Sequence, residues 1–161
     1  MEKVTRRVVL NLDRCVECKS CSAACFYGHI FYPGVEYGQA PAATIPIICK
    51  QCDEPACVEA CSNEAMKRDE NGVVWRSLML CTGCKSCINA CPFGVLSSDL
   101  KVGQVGKCDF CKDKLAVGLE PRCVATCPSG ALKFAEEEEL RQEGLLVLSS
   151  NMAGSHPVKR R

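Results

Sequence analysis

Apolar positions along this chain come in short runs broken by polar, glycine and cysteine residues. Val4–Leu12 (V-T-R-R-V-V-L-N-L) is β-branched and predicts a strand. Val73, Val74 and Trp75 are good strand residues, and Asn71-Gly72 before them is the strongest short hairpin signal in the chain. Ala131–Phe134 reads as another strand. Ala135–Arg141 (A-E-E-E-E-L-R) predicts a short exposed helix whose charge run is a solvated face. Lys101–Lys107 carries glycine and glutamine breaks and reads as a turn or loop. Phe26–Lys50 is rich in glycine, proline and aromatics, including Phe26, Tyr27, Phe31, Tyr32 and Tyr37. It reads as a loop that packs over the preceding motif or docks a partner. Ser149–Arg161 reads as a polar tail ending in Lys159-Arg160-Arg161.

Between these runs lie four cysteine motifs, and they dominate the 161 residues. The first is Cys15-x2-Cys18-x2-Cys21-x3-Cys25. The second, Cys49-x2-Cys52-x4-Cys57-x3-Cys61, has a longer middle spacing that contains Pro55. The third is Cys81-x2-Cys84-x2-Cys87-x3-Cys91-Pro92, and the fourth is Cys108-x2-Cys111-x11-Cys123-x3-Cys127-Pro128. C-x2-C-x2-C-x3-C-P is the run by which bacterial ferredoxins bind [4Fe–4S] cubes. Three thiolates grip one cube, and the fourth ligates the neighbouring one in two-cluster proteins. Sixteen cysteines divide without remainder into four such sites. Structural zinc is the alternative, but zinc sites are usually two separated C-x2-C pairs. Disulfides are a weaker one, since no apolar leader marks the N-terminus. Folding and cofactor binding should be coupled, because the apolar share of 47% includes the cysteines and leaves a thin core without them.

Charge narrows the reading further. With 20 basic and 19 acidic side chains the net charge is +1, which gives no argument for nucleic acid. Metal-bound thiolates would make the holoprotein acidic. The longest terminal apolar stretch, Leu145–Leu148, falls far short of the roughly 18–20 residues of a membrane span. Arg6-Arg7 reads as a solvated strand start rather than an export signal. The expected compartment is the cytoplasm. His29 and His156 are too few and isolated for acid–base chemistry, no phosphate-binding glycine loop is present, and Trp75 reads as packing. The chain is therefore expected to be a component of an enzyme rather than a catalyst.

Pairing of the motifs follows from their flanks. A two-cluster ferredoxin runs strand, motif, hairpin, motif, strand. The hairpin signal lies between motifs two and three, and strands flank motifs one and four. The expected fold class is α+β, two nested bacterial-ferredoxin-like units with short β-hairpins and short helices around four clusters. The expected domain spans 1–135, with an inner unit of about 45–100 and an outer unit of about 4–44 plus 101–135, followed by a helix and tail over 136–161. With the fourth cysteine crossing over, the inner sites are Cys49/Cys52/Cys57/Cys91 and Cys61/Cys81/Cys84/Cys87. The outer sites are Cys15/Cys18/Cys21/Cys127 and Cys25/Cys108/Cys111/Cys123. Lys19, Lys50, Lys85, Lys107 and Lys112 lie beside these ligands. They read as ordinary surface lysines, the other reading being that they raise individual potentials.

The order and spacing of the four groups resemble the four-cluster iron–sulfur subunits of the dimethyl sulfoxide reductase type. These include small subunits of formate dehydrogenases, of tungsten aldehyde oxidoreductases, and of some hydrogenase and carbon monoxide dehydrogenase systems. The resemblance covers about residues 5–135. Cys25 and Cys61 depart from it in lacking a following proline. It implies nested ligation and an electron conduit bound to a large molybdo- or tungstopterin subunit, with a second redox partner. The larger members' long insertions and C-terminal transmembrane helix are missing, which favours a soluble complex. Other readings are a free polyferredoxin, an assembly factor, or a subunit of a nickel enzyme. Self-association into a longer conduit is a further expectation.

Overall fold

The computed structural model describes residues 4–28, 35–40, 43–98, 103–136 and 146–147. Strand β1 (Arg7–Leu10) lies at the centre of a three-stranded antiparallel sheet, between β8 (Leu132–Ala135) and β9 (Leu146–Val147). The register places Val8 opposite Phe134 and Leu10 opposite Leu132. Val8, Val9 and Leu10 are all buried, so both faces of β1 are covered. The strand is shorter than the Val4–Leu12 run because both ends are diverted. Val4 donates its N–H to the Asn71 carbonyl at 3.0 Å. The Asn11 side chain accepts from the amides of Asp13 and Arg14, an Asx turn that ends the extended segment.

The expected strand at 131–134 is thus shifted by one residue, and its pairing with the first strand joins the two ends of the motif array. Ala135, read as the start of a helix, is the last residue of β8 opposite Arg7, and Arg6 meets Glu136 just beyond it at 3.3 Å. The rest of the expected helix over 137–141, like the tail and His29, lies outside the described residues.

The hairpin at Asn71-Gly72 is present as β4 (Met66–Arg68) and β5 (Val74–Arg76). Its connection is tighter in chemistry than the dipeptide alone implies. Asp69 accepts the Gly72 amide on its carbonyl, and the amides of Asn71 and Val73 on its carboxylate. Gly72 takes φ of 83°, which glycine adopts without strain.

Two further hairpins correct the sequence reading. The stretch read as an aromatic loop contains β2 (Val35–Ala40) paired with β3 (Ala43–Ile48). Pro46 lies in β3 opposite Tyr37, and a proline is tolerated there because both strands of a two-stranded ladder are edges. The Lys101–Lys107 stretch likewise contains β7 (Val105–Gly106), paired with β6 (Ser97–Ser98).

The helices are short and each serves a cysteine motif. Helix α1 (Ser20–Gly28) carries Cys21 and Cys25, α2 (Ala56–Glu59) carries Cys57, α3 (Ser86–Ala90) carries Cys87, and α5 (Arg122–Ala125) carries Cys123. Pro55 and Pro121 precede α2 and α5, where a missing N–H costs nothing. One-turn α4 (Lys112–Leu115) fills the long spacing of motif four. Helix α1 packs on α5 and α2 on α3. Two cores result. The larger joins Val8, Leu10, Phe110, Val124, Leu132 and Phe134 with Cys25 and Cys123. The smaller joins Met66, Leu96 and Val105 with Cys87.

Candidate metal centres

Each C-x2-C pair closes on the same backbone device. The residue before the second cysteine is left-handed in all four motifs: Glu17 (φ 55°), Gln51 (52°), Gly83 (73°) and Phe110 (56°). Only Gly83 adopts this conformation freely; elsewhere it costs about 1–2 kcal/mol. The turn points the next amides back at sulfur. Gly83 N–H reaches Cys81 and Phe110 N–H reaches Cys108. Ser20 and Ser86 serve Cys18 and Cys84 in the same way, after left-handed Lys19 and Lys85. Farther along, Ala65 N–H meets Cys61 Sγ at 3.2 Å and Leu132 N–H meets Cys127 Sγ at 3.4 Å. Backbone donors aimed at sulfur are what a thiolate-held cluster needs.

The sixteen cysteines are all free thiols, and the fold gathers them in fours. Cys49, Cys52, Cys57 and Cys91 line one pocket. Cys15, Cys18, Cys21 and Cys127 line a second. Cys61, Cys81, Cys84 and Cys87 line a third. Each combines three cysteines of one motif with one of another. Cys123 interacts electrostatically with Cys111, Cys25 and Cys21, and Cys108 with Cys49 and, less strongly, Cys25. Among the described residues, no three thiols, imidazoles or carboxylates converge closely enough to hold one ion, as a tetrahedral zinc site would require. They ring a space instead.

Proton affinities follow this crowding. Burial pushes the Cys123 thiol up to about 12, and neighbouring Cys111 and Cys25 add to it. Burial likewise lifts Cys57 to about 11, against the pull of Lys107. Cys52, Cys87 and Cys108 are raised for the same first reason, then by neighbouring sulfurs. Exposed Cys18 and Cys84 are held low, by hydrogen bonds from Ser20 and Ser86 respectively. Burial would raise Cys81, but the Gly83 amide and Arg76 outweigh it. Buried thiols that resist ionising, such as Cys57 and Cys123, fit a group that brings positive iron among them, releasing protons as it binds.

The lysines singled out by sequence separate here. Lys19 and Lys85 are exposed. Lys112 stacks 4.6 Å over the Trp75 ring and pairs with Asp69 at 2.7 Å, so Trp75 serves packing between the hairpin and α4. Burial lowers Lys50, opposed by Cys52 and Cys49, and its ammonium lies 6.0 Å from the Phe93 ring. Lys107 is not a surface lysine: it is buried against Cys49. Gln51, which sequence reasoning passed over, is buried beside it. No local signal marks either, because their burial is tertiary.

Thiol quartets lining three pockets on cysteine-rich loops point to an iron–sulfur protein. The chain belongs to the 4Fe-4S dicluster domain family, whose match covers residues 41–137; a 4Fe-4S binding domain matches residues 12–28. A probable anaerobic dimethyl sulfoxide reductase chain of Escherichia coli is 33% identical over 170 aligned positions, spanning 93% of this chain and 83% of that protein. The thiosulfate reductase electron transfer subunit of Salmonella typhi is 35% identical, spanning 86% of this chain and 81% of that one. A formate dehydrogenase iron-sulfur subunit of Haemophilus influenzae is 40% identical over 58% of this chain and 30% of its own length. Among the described residues no helix is long and apolar enough to cross a membrane.

Proposed function

We propose that this chain is the electron-transfer subunit of an oxidoreductase complex, holding four [4Fe–4S] clusters and performing no catalysis itself. The observation that carries the reading is the lining of three cavities by thiol quartets, each drawn three-and-one from two motifs. Cys15/Cys18/Cys21/Cys127 and Cys25/Cys108/Cys111/Cys123 are the ligands of the outer unit. Cys49/Cys52/Cys57/Cys91 and Cys61/Cys81/Cys84/Cys87 are those of the inner unit. The antiparallel pairing of β1 with β8 and the packing of α1 on α5 and α2 on α3 support this nesting.

Bound clusters supply one-electron transfer at low reorganisation cost, over potentials that span about −700 to +450 mV across proteins. The chain's own residues do the rest. Left-handed turns hold amides toward sulfur, and buried Cys25, Cys49, Cys87, Cys111 and Cys123 keep water from the sites. Exposed Cys18 and Cys84, one in each unit, mark where electrons enter and leave. The partners are a large catalytic subunit carrying molybdenum or tungsten on a pterin, acting on a substrate such as formate or an aldehyde, and a second redox protein. The relatives' names extend the candidate reactions to dimethyl sulfoxide and thiosulfate. Free thiols in this number suit a reducing compartment, the cytoplasm.

Anaerobic purification from the native host through a tag on this chain tests the reading. Molybdenum or tungsten with a large subunit is the expected result. Nickel would replace the pterin enzyme with a hydrogenase or carbon monoxide dehydrogenase. Iron with no partner would overturn the subunit reading in favour of a mobile carrier.

A further inference from the structure

Among the described residues only two polar or charged side chains are buried, Gln51 at 2% exposure and Lys107 at 6%. They meet at one place. The Lys107 ammonium donates to Cys49 Sγ at 2.9 Å and to the Cys108 carbonyl at 2.7 Å. Gln51 donates to the same carbonyl at 2.6 Å and accepts the Val74 amide at 2.7 Å. The pair therefore spans the seam between the site of Cys49 and the site of Cys108. Among the described residues no carboxylate pairs with Lys107. A buried ammonium without a counter-charge is expensive, and the anion the structure offers is sulfur. Its charge also acts on Cys52, Cys57 and Cys108.

We propose that Lys107, fixed in place with Gln51, is a positioning residue that raises the reduction potential of the Cys49/Cys52/Cys57/Cys91 site and screens it from the neighbouring Cys25/Cys108/Cys111/Cys123 site. The proposal rests on the ligation reading above. Adding one electron to a four-thiolate site deepens its negative charge by one, with no bond made or broken. A cation 2.9 Å from one of its sulfurs favours that state, and burial keeps solvent ions from screening the effect. The two sites abut, since Cys49 and Cys108 repel each other as thiolates. A cation between them lowers the penalty for charging both. Lys19 and Lys85, exposed beside other quartets, are screened and carry little of this effect.

The test is an anaerobic potentiometric titration of the whole cluster-loaded chain with dithionite as electron donor, followed by electron paramagnetic resonance. Iron is counted in every sample. In Lys107→Met, iron is retained and one cluster signal shifts to lower potential. At a fixed ambient potential its reduced-to-oxidised ratio falls at least about tenfold, equivalent to about 59 mV for a one-electron couple. That signal is the one Cys52→Ser alters, and Lys107→Arg restores it to near the wild-type position. Full iron with every signal at its wild-type potential overturns the proposal. Where Lys107→Met loses iron, Lys107→Gln, which keeps a donor but no charge, decides instead. Retained iron with a lowered potential supports the proposal. Retained iron at the wild-type potential, or loss of iron again, makes Lys107 a structural post and overturns it. Fewer than four clusters in the wild-type chain, or two signals altered by Cys52→Ser, would instead overturn the ligation reading itself.

Discussion

The two cores of this molecule differ in how much hydrocarbon surrounds their cysteines. The larger has β1 between two strands, Phe110 and Phe134 edge to face at 5.9 Å, Val124 and Leu132 around them, and Cys25 and Cys123 buried among them. The smaller buries only Met66, Leu96 and Val105 beside Cys87, with Val58, Ile88, Cys57, Cys61 and Cys91 packed against it. Its sheets are two-stranded ladders, marginal on their own. With less hydrocarbon, the smaller core should depend more on what its cysteines bind. That difference between the two cores can be tested by experiment.

Removal of iron separates them most sharply. Anaerobic chelation followed by hydrogen exchange should abolish protection in β4, β5 and α3 while part of it survives in β1 and β8. Equal loss in both regions would remove the distinction. Next in size is Phe134→Ala, which should cost about 3–5 kcal/mol by anaerobic denaturation. Met66→Ala in the cluster-loaded chain should cost only about 2 kcal/mol, the bottom of its usual range, because the cysteines around it stay fixed. A larger loss at Met66 than at Phe134 would invert the comparison.

Gly83→Ala probes the third motif alone. A Cβ there would strike the Gly103 carbonyl, and the φ of 73° is strained for any other residue. Loss of about 1–3 kcal/mol is expected, with cluster damage confined to the Cys61/Cys81/Cys84/Cys87 signal in the absorption and resonance spectra.

The smallest effect lies at the seam between the cores. Burial would raise the Asp69 carboxyl, but Lys112 and the amides of Val73 and Asn71 outweigh it and hold it below the ordinary range. Its contribution is present above the unfolded value near about 3.9 and is lost as pH falls through the lower folded value. Asp69→Asn should therefore cost about 1 kcal/mol at neutral pH and flatten that part of the acid dependence of unfolding.

What the sequence revealed is local. Cysteine spacing identifies the triplets of the first three motifs because those cysteines lie within a loop and a short helix, while the fourth member of each set lining a pocket comes from another motif. Asn71-Gly72 marks its hairpin because glycine is needed at φ of 83°. The outer strands were legible as a pair because each flanks a motif and carries β-branched or aromatic residues. What stayed hidden depends on distant partners. The β2–β3 hairpin was missed because glycine, proline and aromatic residues over 26–50 read as a loop, whereas Pro46 is tolerated in a two-stranded ladder. Ala135 joined a strand because Arg7 was there to pair with it, against its own glutamate-rich neighbours. Glu17, Gln51 and Phe110 are not residues that advertise a left-handed turn, and only Gly83 hinted at the device all four motifs share. Lys107 looked like any lysine next to a cysteine until the fold closed over it.

Nested pairing of the motifs is the claim on which the rest depends. Iron counted in anaerobically prepared Cys15→Ala/Cys127→Ala tests it most directly. Nested ligation puts both cysteines on one site, so a full complement of about sixteen iron atoms should fall by about four. A fall of about eight, with two cluster signals lost, would place the two cysteines on different sites and contradict the account.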